Sequence, residues 1–266
     1  MDSLELSGLD RSFQRPRTPS VTVLTLCYLC QKNGDGVSAL HSGRLASGTA
    51  AELARELGDH AFARQLGAGD FAHLEGDPAS TISIVRHGQL VVEACPVGAW
   101  CPATVGVVGA GSLLGEEALA VGASRNSTVR ALTPVSLMVA FREELTEVML
   151  ARPQARRLFF ALQAELYRLR LSEALANTAA RVDLRIARWI LHCAGVFANG
   201  AEGPVRLHLR QELIAGLAGT RRPTANRSLH DFQSAGLIEL RRGVIVVPCR
   251  DELHKWIVAN TPDRRD

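Results

Sequence analysis

Hydrophobic and polar positions alternate in three different ways along the chain, and each way predicts a different kind of element. Between residues 68 and 141, short β-branched and apolar runs are separated by glycines, which is typical of a small all-β barrel or roll. From Arg142 to about Ala180 there is no glycine, and leucines recur at helical spacing. This predicts one helix of roughly eight turns, with Pro153 in its first turn. A helix, a strand, two short helices and a hairpin with Arg241 and Arg242 at its turn are predicted to follow.

The region before the roll carries its own helix signal. Thr49-Ala-Ala-Glu52 is a capping box that leads into ELARELGDHAFARQL, so we expect a helix that begins at Thr49. The polar N-terminus is expected to be poorly ordered, and the apolar run Val21–Cys30 could form one strand. The patterns predict four segments: an extension over 1–48, a sensor domain over 49–149, a long helix over 150–180 and a third domain over 181–262.

The predicted long helix has an apolar stripe at helical spacing, made of Leu158, Leu162, Leu166, Leu169 and Ala176. A long amphipathic helix beside a small β-roll suits a dimer seam, in which the stripes of two copies pack together. The alternative is that the stripe packs against the roll of its own chain. We expect the dimer seam, and therefore a homodimer.

Charge is distributed unevenly between the two ends of the chain. Residues 181–266 hold 14 Lys and Arg against 9 Asp and Glu, a net charge of +5, which leaves −2 for the rest of a chain whose formal charge is +3. A basic C-terminal third beside a slightly acidic body indicates contact with a polyanion. The alternative is an ordinary basic surface.

Several classes of protein are disfavoured by the sequence. The 266 residues are 47% hydrophobic and 21% charged, which suits a globular chain of about two domains. We find neither a run long enough to span a bilayer nor a signal peptide, so we expect a cytoplasmic protein without a membrane partner. The common nucleophile, zinc-protease, Walker and dinucleotide motifs are missing, and we expect no enzyme.

The segment GTRRPTANRSL, residues 219–229, indicates what the basic third contacts. One predicted helix ends at Gly219, and the next begins near Arg222. In this second helix Ala225, Leu229 and Phe232 share one face at i, i+4 and i+7. This is the arrangement of a helix-turn-helix, whose second helix enters the major groove of DNA.

The opposite face of the second helix offers groups that suit DNA. Arg222 and Arg227 could bond guanine, and Asn226 could bond adenine. Arg221 and Thr224 are better suited to phosphate, and Arg241 and Arg242 at the hairpin turn would rest on the DNA backbone as a wing. The alternative is a small helical hairpin with a solvated basic face.

These motifs resemble the Crp/Fnr superfamily, the cyclic-AMP receptor protein-like transcription regulators, from about Ala68 to Trp256. The family's recognition helix reads Gly-Thr-Ser-Arg-Glu-Thr-Val-x-Arg, and residues 219–227 read GTRRPTANR. The resemblance implies an α+β fold: a cyclic-nucleotide-binding-type β-roll (a double-stranded jelly-roll), a long dimerisation helix and a winged helix-turn-helix. Pro223 stands where the family has a base-contacting glutamate, so we expect a shifted operator sequence.

The segment GSLLGEEALAVGASRNSTVRALT, residues 111–133, resembles the phosphate-binding cassette of cyclic-nucleotide domains. Gly115 and Glu116 open a short helical turn whose free N–H groups favour an anion. The resemblance implies that Arg125 pairs with the cyclic phosphate and that Glu116 accepts from the ribose 2′-hydroxyl. Asn126 stands where cyclic-AMP binders have serine or threonine. The expected ligand-binding set is Gly115, Glu116, Glu117, Arg125, Asn126, Ser127 and Ser172 of the long helix. The alternative is a salt bridge between Glu116 and Arg125 inside an empty roll.

The cysteines permit a second kind of sensor. Cys27, Cys30, Cys95 and Cys101 could together hold an iron–sulfur cluster or Zn²⁺. The alternative is that they are buried structural thiols. Cys193 and Cys249 fall in helix and strand patterns and are expected in the core.

The resemblance as a whole implies a homodimeric transcription regulator. It would bind double-stranded DNA at a near-palindromic operator, act with RNA polymerase and respond to a cyclic nucleotide such as cAMP. The alternatives are a redox or metal sensor that uses the cysteines, and a cyclic-nucleotide-binding module that acts on a protein partner.

Overall fold

The computed structural model describes residues 38–96, 102–178, 181–198 and 201–261, with side chains from residue 48 onward except those of Ser172 and Ala176. The predicted strand Val21–Cys30 lies outside these residues. Helix α1 is Ser38–Leu57, so the prediction that a helix begins at Thr49 is wrong. The capping-box letters occur inside the helix, because α1 packs against the long helix α3 (Pro153–Ala176) and is held by that contact. The limits of the four predicted segments stay predictions.

A β-roll of two four-stranded antiparallel sheets follows α1. The strand orders are β1-β8-β3-β6 and β2-β7-β4-β5. Alternate side chains of these strands point inward, as the burial patterns of β7 and β8 show, because successive residues of a strand face opposite sides. The strands are β1 Phe62–Leu66, β2 Phe71–His73, β3 Thr81–His87, β4 Leu90–Ala94, β5 Ala103–Val108, β6 Leu113–Leu114, β7 Thr128–Ala131 and β8 Val135–Phe141.

The first strand corrects the predicted extent of the N-terminal helix. The helix pattern continued through ELARELGDHAFARQL, but the last five of these residues form β1. Gly58 adopts a positive φ of 50° directly after α1, and this conformation ends helices. β1 then pairs with β8, with Phe62 opposite Val139. The pairing partner lies more than 70 residues away in the sequence, so local periodicity does not reveal it.

The predicted long helix is α3 at Pro153–Ala176, and a separate helix, α2 at Arg142–Ala151, precedes it. Arg152 between them is extended, with φ −121° and ψ 102°, because the residue before a proline is sterically driven out of the helical region. The 24-residue α3 starts at Pro153 as predicted.

The leucines predicted to form a dimer seam pack within their own chain. Leu158, Leu162 and Leu166 are buried in a cluster with α1 and the roll, and Leu169 packs against that cluster. The seam prediction is therefore wrong for this stripe, and the alternative of packing on its own roll is confirmed. The opposite face of α3 carries a second, exposed stripe, made of Phe160, Tyr167, Leu171 and Leu175.

The C-terminal region forms a winged helix-turn-helix, as predicted. Its three strands pair in the order β10-β11-β9, and its core includes Trp189, Ile214 and Leu229. Within the part of the chain that is described, no helix combines the length and the apolar character needed to cross a membrane. The elements are α4 Val182–Ala198, β9 Val205–Leu207, α5 Gln211–Leu217, α6 Arg222–Ser234, β10 Glu239–Arg241, β11 Val244–Val247 and α7 Arg250–Asn260.

Candidate DNA interface and effector cavity

Helix α6 is anchored by the residues that its spacing predicts. Ala225 and Leu229 are fully buried, and Phe232 is 2% exposed. The ring of Phe232 meets that of Trp256 edge-on at 5.0 Å between centroids. Gly219 takes a positive φ of 57° in the turn before α6, which allows the sharp change of direction between the two helices. The opposite side of α6 is therefore left free to meet a partner.

Most of the predicted DNA-contacting side chains lie on that open side. Arg221, Arg222, Thr224 and Arg227 are exposed, and Asn226 is partly buried. The Oδ1 atom of Asn226 is buried without a hydrogen-bond partner, so this acceptor is unsatisfied as the protein stands. The arginines and the threonine are accessible, as a nucleic-acid contact requires.

Two of the exposed arginines pair weakly with neighbouring glutamates. The Nε of Arg222 lies 3.1 Å from Glu212 Oε1, with 63% and 52% of the two side chains exposed. Arg241 pairs with Glu239 at 2.8 Å on the wing. Arg242 is exposed beside Gly243 at the turn. Exposed pairs of this kind contribute at most about 1 kcal/mol, so a DNA phosphate can replace the glutamates.

The roll contains a cavity of about 410 Å³, here called the roll cavity. Its size is within the range of small-molecule sites. Strands β4 and β5, the short 3-10 helix Glu116–Leu119, α3 and α4 supply its walls. Its polar lining consists of His73, Ser112, Glu116, Glu117, Asn126, Ser127, Arg170, Glu173 and His192.

Arg125 lies beside the roll cavity but is not among its lining residues. Its Nη1 is 3.2 Å from Glu117 Oε1, with only 5% and 14% of the two side chains exposed. Its Nη2 donates to the carbonyl and the hydroxyl of Thr81 at 2.7 and 2.9 Å. Gly115 makes room for this guanidinium, since a Cβ there would lie 2.3 Å from Arg125 Nη1.

The alternative salt bridge between Glu116 and Arg125 is not what forms. Arg125 takes Glu117 as its partner, and Glu116 pairs with Arg170 of α3. The 3-10 helix directs its first two carboxylates to different partners, because successive residues point in different directions around the helix axis. The predicted cassette residues Gly115, Glu116, Glu117, Asn126 and Ser127 do line the cavity. Ser172 belongs to α3, but its side chain is outside the described residues.

His73 was missed by sequence reasoning and lies in the cavity wall. Burial first and the positive charge of Arg125 second lower the pKa of its imidazole from 6.5 to about 4. The ring is therefore neutral at pH 7 and offers one hydrogen-bond donor and one acceptor to an occupant.

The winged-helix region forms part of the cavity wall. His192 and Val196 of α4 line it, and neither was identified from the sequence. His192 Nε2 lies 3.1 Å from Glu173 Oε1 of α3, with both side chains largely buried. The ring of Trp189 meets that of His192 edge-on. No local sequence pattern identifies His192, because its place in the cavity wall depends on how α4 packs against the roll.

One glutamine and one glycine hold the roll close to the winged helix. Gln89 donates from Nε2 to the Arg206 carbonyl at 2.9 Å and accepts from the His208 N–H at 3.0 Å. A Cβ at Gly109 would lie 2.9 Å from the Val196 carbonyl oxygen. The Glu173–His192 pair between α3 and α4 adds a third contact of this kind. Together these contacts connect the cavity directly to the region that carries α6.

The cysteines are only partly within the described residues. Cys27, Cys30 and Cys101 lie outside them, while Cys95 is exposed near the end of β4. The metal hypothesis therefore stays a prediction. Cys193 is buried in the core as predicted, and burial raises the pKa of its thiol. The core prediction for Cys249 is wrong, since this residue is exposed just before α7.

Two family profiles match the chain. The cyclic nucleotide-binding domain covers residues 63–152, and the Crp-like helix-turn-helix domain covers residues 184–256. They fall on the roll and on the winged helix-turn-helix, so the sequence families and the fold agree.

Similar proteins of known role are transcription regulators. The CRP-like cAMP-activated global transcriptional regulator of Mycobacterium tuberculosis is 27% identical over 183 residues, which are 67% of this chain and 80% of the relative. The cyclic AMP receptor protein of Thermus thermophilus is 27% identical over 179 residues, 65% of this chain and 77% of the relative.

Solved structures show the same fold. The global regulator CLP of Xanthomonas campestris aligns with a TM-score of 0.59 at 24% identity, over 75% of this chain and 99% of its own. FixK2 of Bradyrhizobium japonicum aligns with a TM-score of 0.61 at 19% identity, over 73% of this chain and 96% of its own. With its cyclic nucleotide-binding-type roll and its Crp-like helix-turn-helix, the chain belongs to the Crp/Fnr family of DNA-binding transcription regulators.

Proposed function

We propose that this protein binds a near-palindromic operator as a homodimer, and that a cyclic nucleotide such as cAMP in the roll cavity changes its affinity for that operator. Both curated relatives are named for cAMP, which supports this class of effector. The regulator would act in the cytoplasm beside RNA polymerase at the promoters that it controls.

On the DNA side, α6 would enter the major groove. Arg222, Asn226 and Arg227 would read base edges, and Arg221 and Thr224 would contact phosphate. Arg241 and Arg242 would place the wing on the backbone. The support is the exposure of these arginines on the side of α6 opposite its buried anchors.

The exposed stripe of α3 would form the dimer seam. Phe160, Tyr167, Leu171 and Leu175 follow one another at intervals of seven and four residues, the spacing that lets one helix pack along another. Tyr167 is 71% exposed and Phe160 is 62% exposed, so covering them would remove considerable apolar surface from water. A two-fold seam would also present two α6 helices to half-sites about one DNA turn apart.

The observation that carries the effector role is the wall that α4 contributes to the roll cavity. Because His192 and Val196 belong to the winged helix, an occupant would touch both halves of the molecule. A ligand shifts a conformational equilibrium only as far as it prefers one state. Direct contact with α4 gives such a preference a physical basis.

The test measures DNA affinity and effector affinity separately. An operator is first selected from a random duplex library, and its binding is followed by fluorescence anisotropy with and without cAMP, while calorimetry follows cAMP itself. For the intact protein we expect cAMP to change operator affinity about 5- to 150-fold, the usual range of allosteric coupling.

The variant His192→Ala should bind the operator without cAMP as before but lose most of that change. His254→Ala is the matched control, because this histidine lies on α7 and does not line the roll cavity. An unchanged cAMP response in His192→Ala would exclude the α4 route. Absence of cAMP binding to the intact protein would exclude this effector.

A further inference from the structure

The chain already neutralises the buried cation beside the roll cavity. Arg125 makes one ion pair with Glu117 and two hydrogen bonds with Thr81. Only 5% of its side chain is exposed, and a buried charge of this kind requires a counter-charge. Glu117 is the carboxylate that supplies it.

Glu117 also lies on the cavity side of this pair. It lines the roll cavity, whereas Arg125 does not. A molecule in the cavity therefore meets the carboxylate of Glu117 before it meets the guanidinium. The gap between the two groups is 3.2 Å, which leaves no room for a third polar group between them.

The charge balance of the lining disfavours anions. Three carboxylates, those of Glu116, Glu117 and Glu173, line the cavity against one guanidinium, that of Arg170, and Arg125 behind Glu117 adds a second positive charge. His73 adds no charge at neutral pH, because burial and Arg125 hold its pKa at about 4. An anionic occupant would be repelled unless one of these carboxylates turned away from it.

We propose that Glu117 occupies the place of the effector's phosphate, so that an anionic effector must displace this carboxylate from Arg125 before it can bind. This rests on the proposed function, in which the effector is a cyclic nucleotide. Glu117 thereby lowers the affinity of the site for effectors that carry a phosphate, and it leaves the affinity for uncharged molecules that fit the cavity unchanged.

The second ion pair of the cavity has a different character. Arg170 of α3 is 62% exposed and pairs with Glu116, so water screens it and solvates it when the pair opens. Opening that pair costs little, while opening Arg125–Glu117 exposes a buried charge. Glu117, and not Glu116, therefore decides how strongly an anionic effector must bind.

The experiment compares Glu117→Gln and Glu117→Asp with the intact protein. Three probes are titrated: cAMP, adenosine as its uncharged counterpart, and inorganic phosphate as the anion alone. Calorimetry gives the two nucleoside affinities, and thermal unfolding with increasing phosphate reports on the anion. Glu93→Gln is the matched control, because Glu93 pairs with Arg130 on the same roll at 2.9 Å without lining the cavity.

In Glu117→Gln we expect cAMP to bind about tenfold to hundredfold more tightly. The reason is that its phosphate no longer competes with a carboxylate for one charge-assisted hydrogen bond of Arg125. Adenosine affinity should stay unchanged, and phosphate should raise the melting temperature of Glu117→Gln but not that of the intact protein. Glu117→Asp keeps the carboxylate on a shorter side chain, so its affinity for cAMP should fall between those of Glu117→Gln and the intact protein. It also covers the case in which Glu117→Gln impairs folding. Glu93→Gln should resemble the intact protein with every probe.

Equal gains for cAMP and adenosine would overturn the proposal, because they would reflect a looser cavity rather than a released cation. The proposal would also be overturned if Glu117→Gln showed neither a higher cAMP affinity nor a higher melting temperature with phosphate. Stabilisation of Glu117→Gln by phosphate without cAMP binding to any variant would uphold the role of Glu117 while rejecting the cyclic nucleotide as effector. The two ideas therefore fail separately.

Discussion

The open side of α6 and the wall of the roll cavity both use arginines paired with glutamates, yet the pairs differ in exposure. On α6 the Arg222–Glu212 pair has more than half of each side chain in water. In the roll, Arg125–Glu117 is almost entirely buried. An exposed guanidinium can exchange its partner at little cost, whereas a buried one keeps its partner until another anion takes over. The first arrangement suits rapid contact with DNA, and the second suits a site that discriminates.

The largest expected effect is the loss of stability when the buried Arg125–Glu117 pair is broken. Arg125→Ala leaves the Glu117 carboxylate without its counter-charge, so we expect the free energy of unfolding to fall by about 3–5 kcal/mol. Arg222→Ala should change it by less than about 1 kcal/mol. Denaturant unfolding of both variants measures the difference. Similar losses in the two would show that burial does not separate these pairs.

The next effect concerns the DNA side of the comparison. Arg227→Ala should reduce discrimination at one base position of the operator by about 1–3 kcal/mol. Arg55→Ala is the control, since this exposed arginine lies in the last turn of α1 and is not part of the winged helix. Anisotropy with single-base operator variants gives the measurement. If Arg227→Ala weakened binding to specific and random DNA equally, its base-reading role would be rejected.

A pH titration sharpens the view of the cavity side. The pKa of His73 is lowered to about 4 in the folded protein, by burial first and by Arg125 second. Between pH 6.5 and about 4 the unfolded chain binds a proton that the folded protein does not, so stability falls as the pH falls through this window. His73→Gln should remove that part of the pH dependence, as followed by unfolding midpoints. An unchanged pH profile in the variant would contradict the assignment.

The smallest expected effect belongs to the wing. Arg242→Ala should weaken binding to all DNA sequences alike and reduce the slope of log affinity against log salt by about one. Binding of operator and random duplex at several salt concentrations tests this. A loss confined to one operator base would instead make Arg242 a base reader.

Local patterns predicted the DNA-facing half of the molecule well. Ala225, Leu229 and Phe232 follow helical spacing and are buried, because a helix fixes the relative direction of side chains three and four positions apart. The open side of α6 then follows by elimination. The contacts of Arg222 and Arg227 with particular bases stay predictions.

The cavity depended on contacts that sequence spacing does not encode. Arg125 and Glu117 are only eight residues apart, yet their pairing depends on the turn at Gly115 and on Thr81 of strand β3. The prediction that the leucine stripe of α3 forms the dimer seam was wrong for a related reason. Both faces of this helix carry apolar residues, and α1 decides which face is covered.

Gly109 has a consequence for how this regulator could change over generations. A single methyl group at this position would press on the backbone of α4 at Val196, and the close packing of protein interiors transmits such a push. One substitution there would therefore change the contact between the two halves with no occupant in the roll cavity, and under the proposed function it would yield a regulator whose output no longer depends on any small molecule.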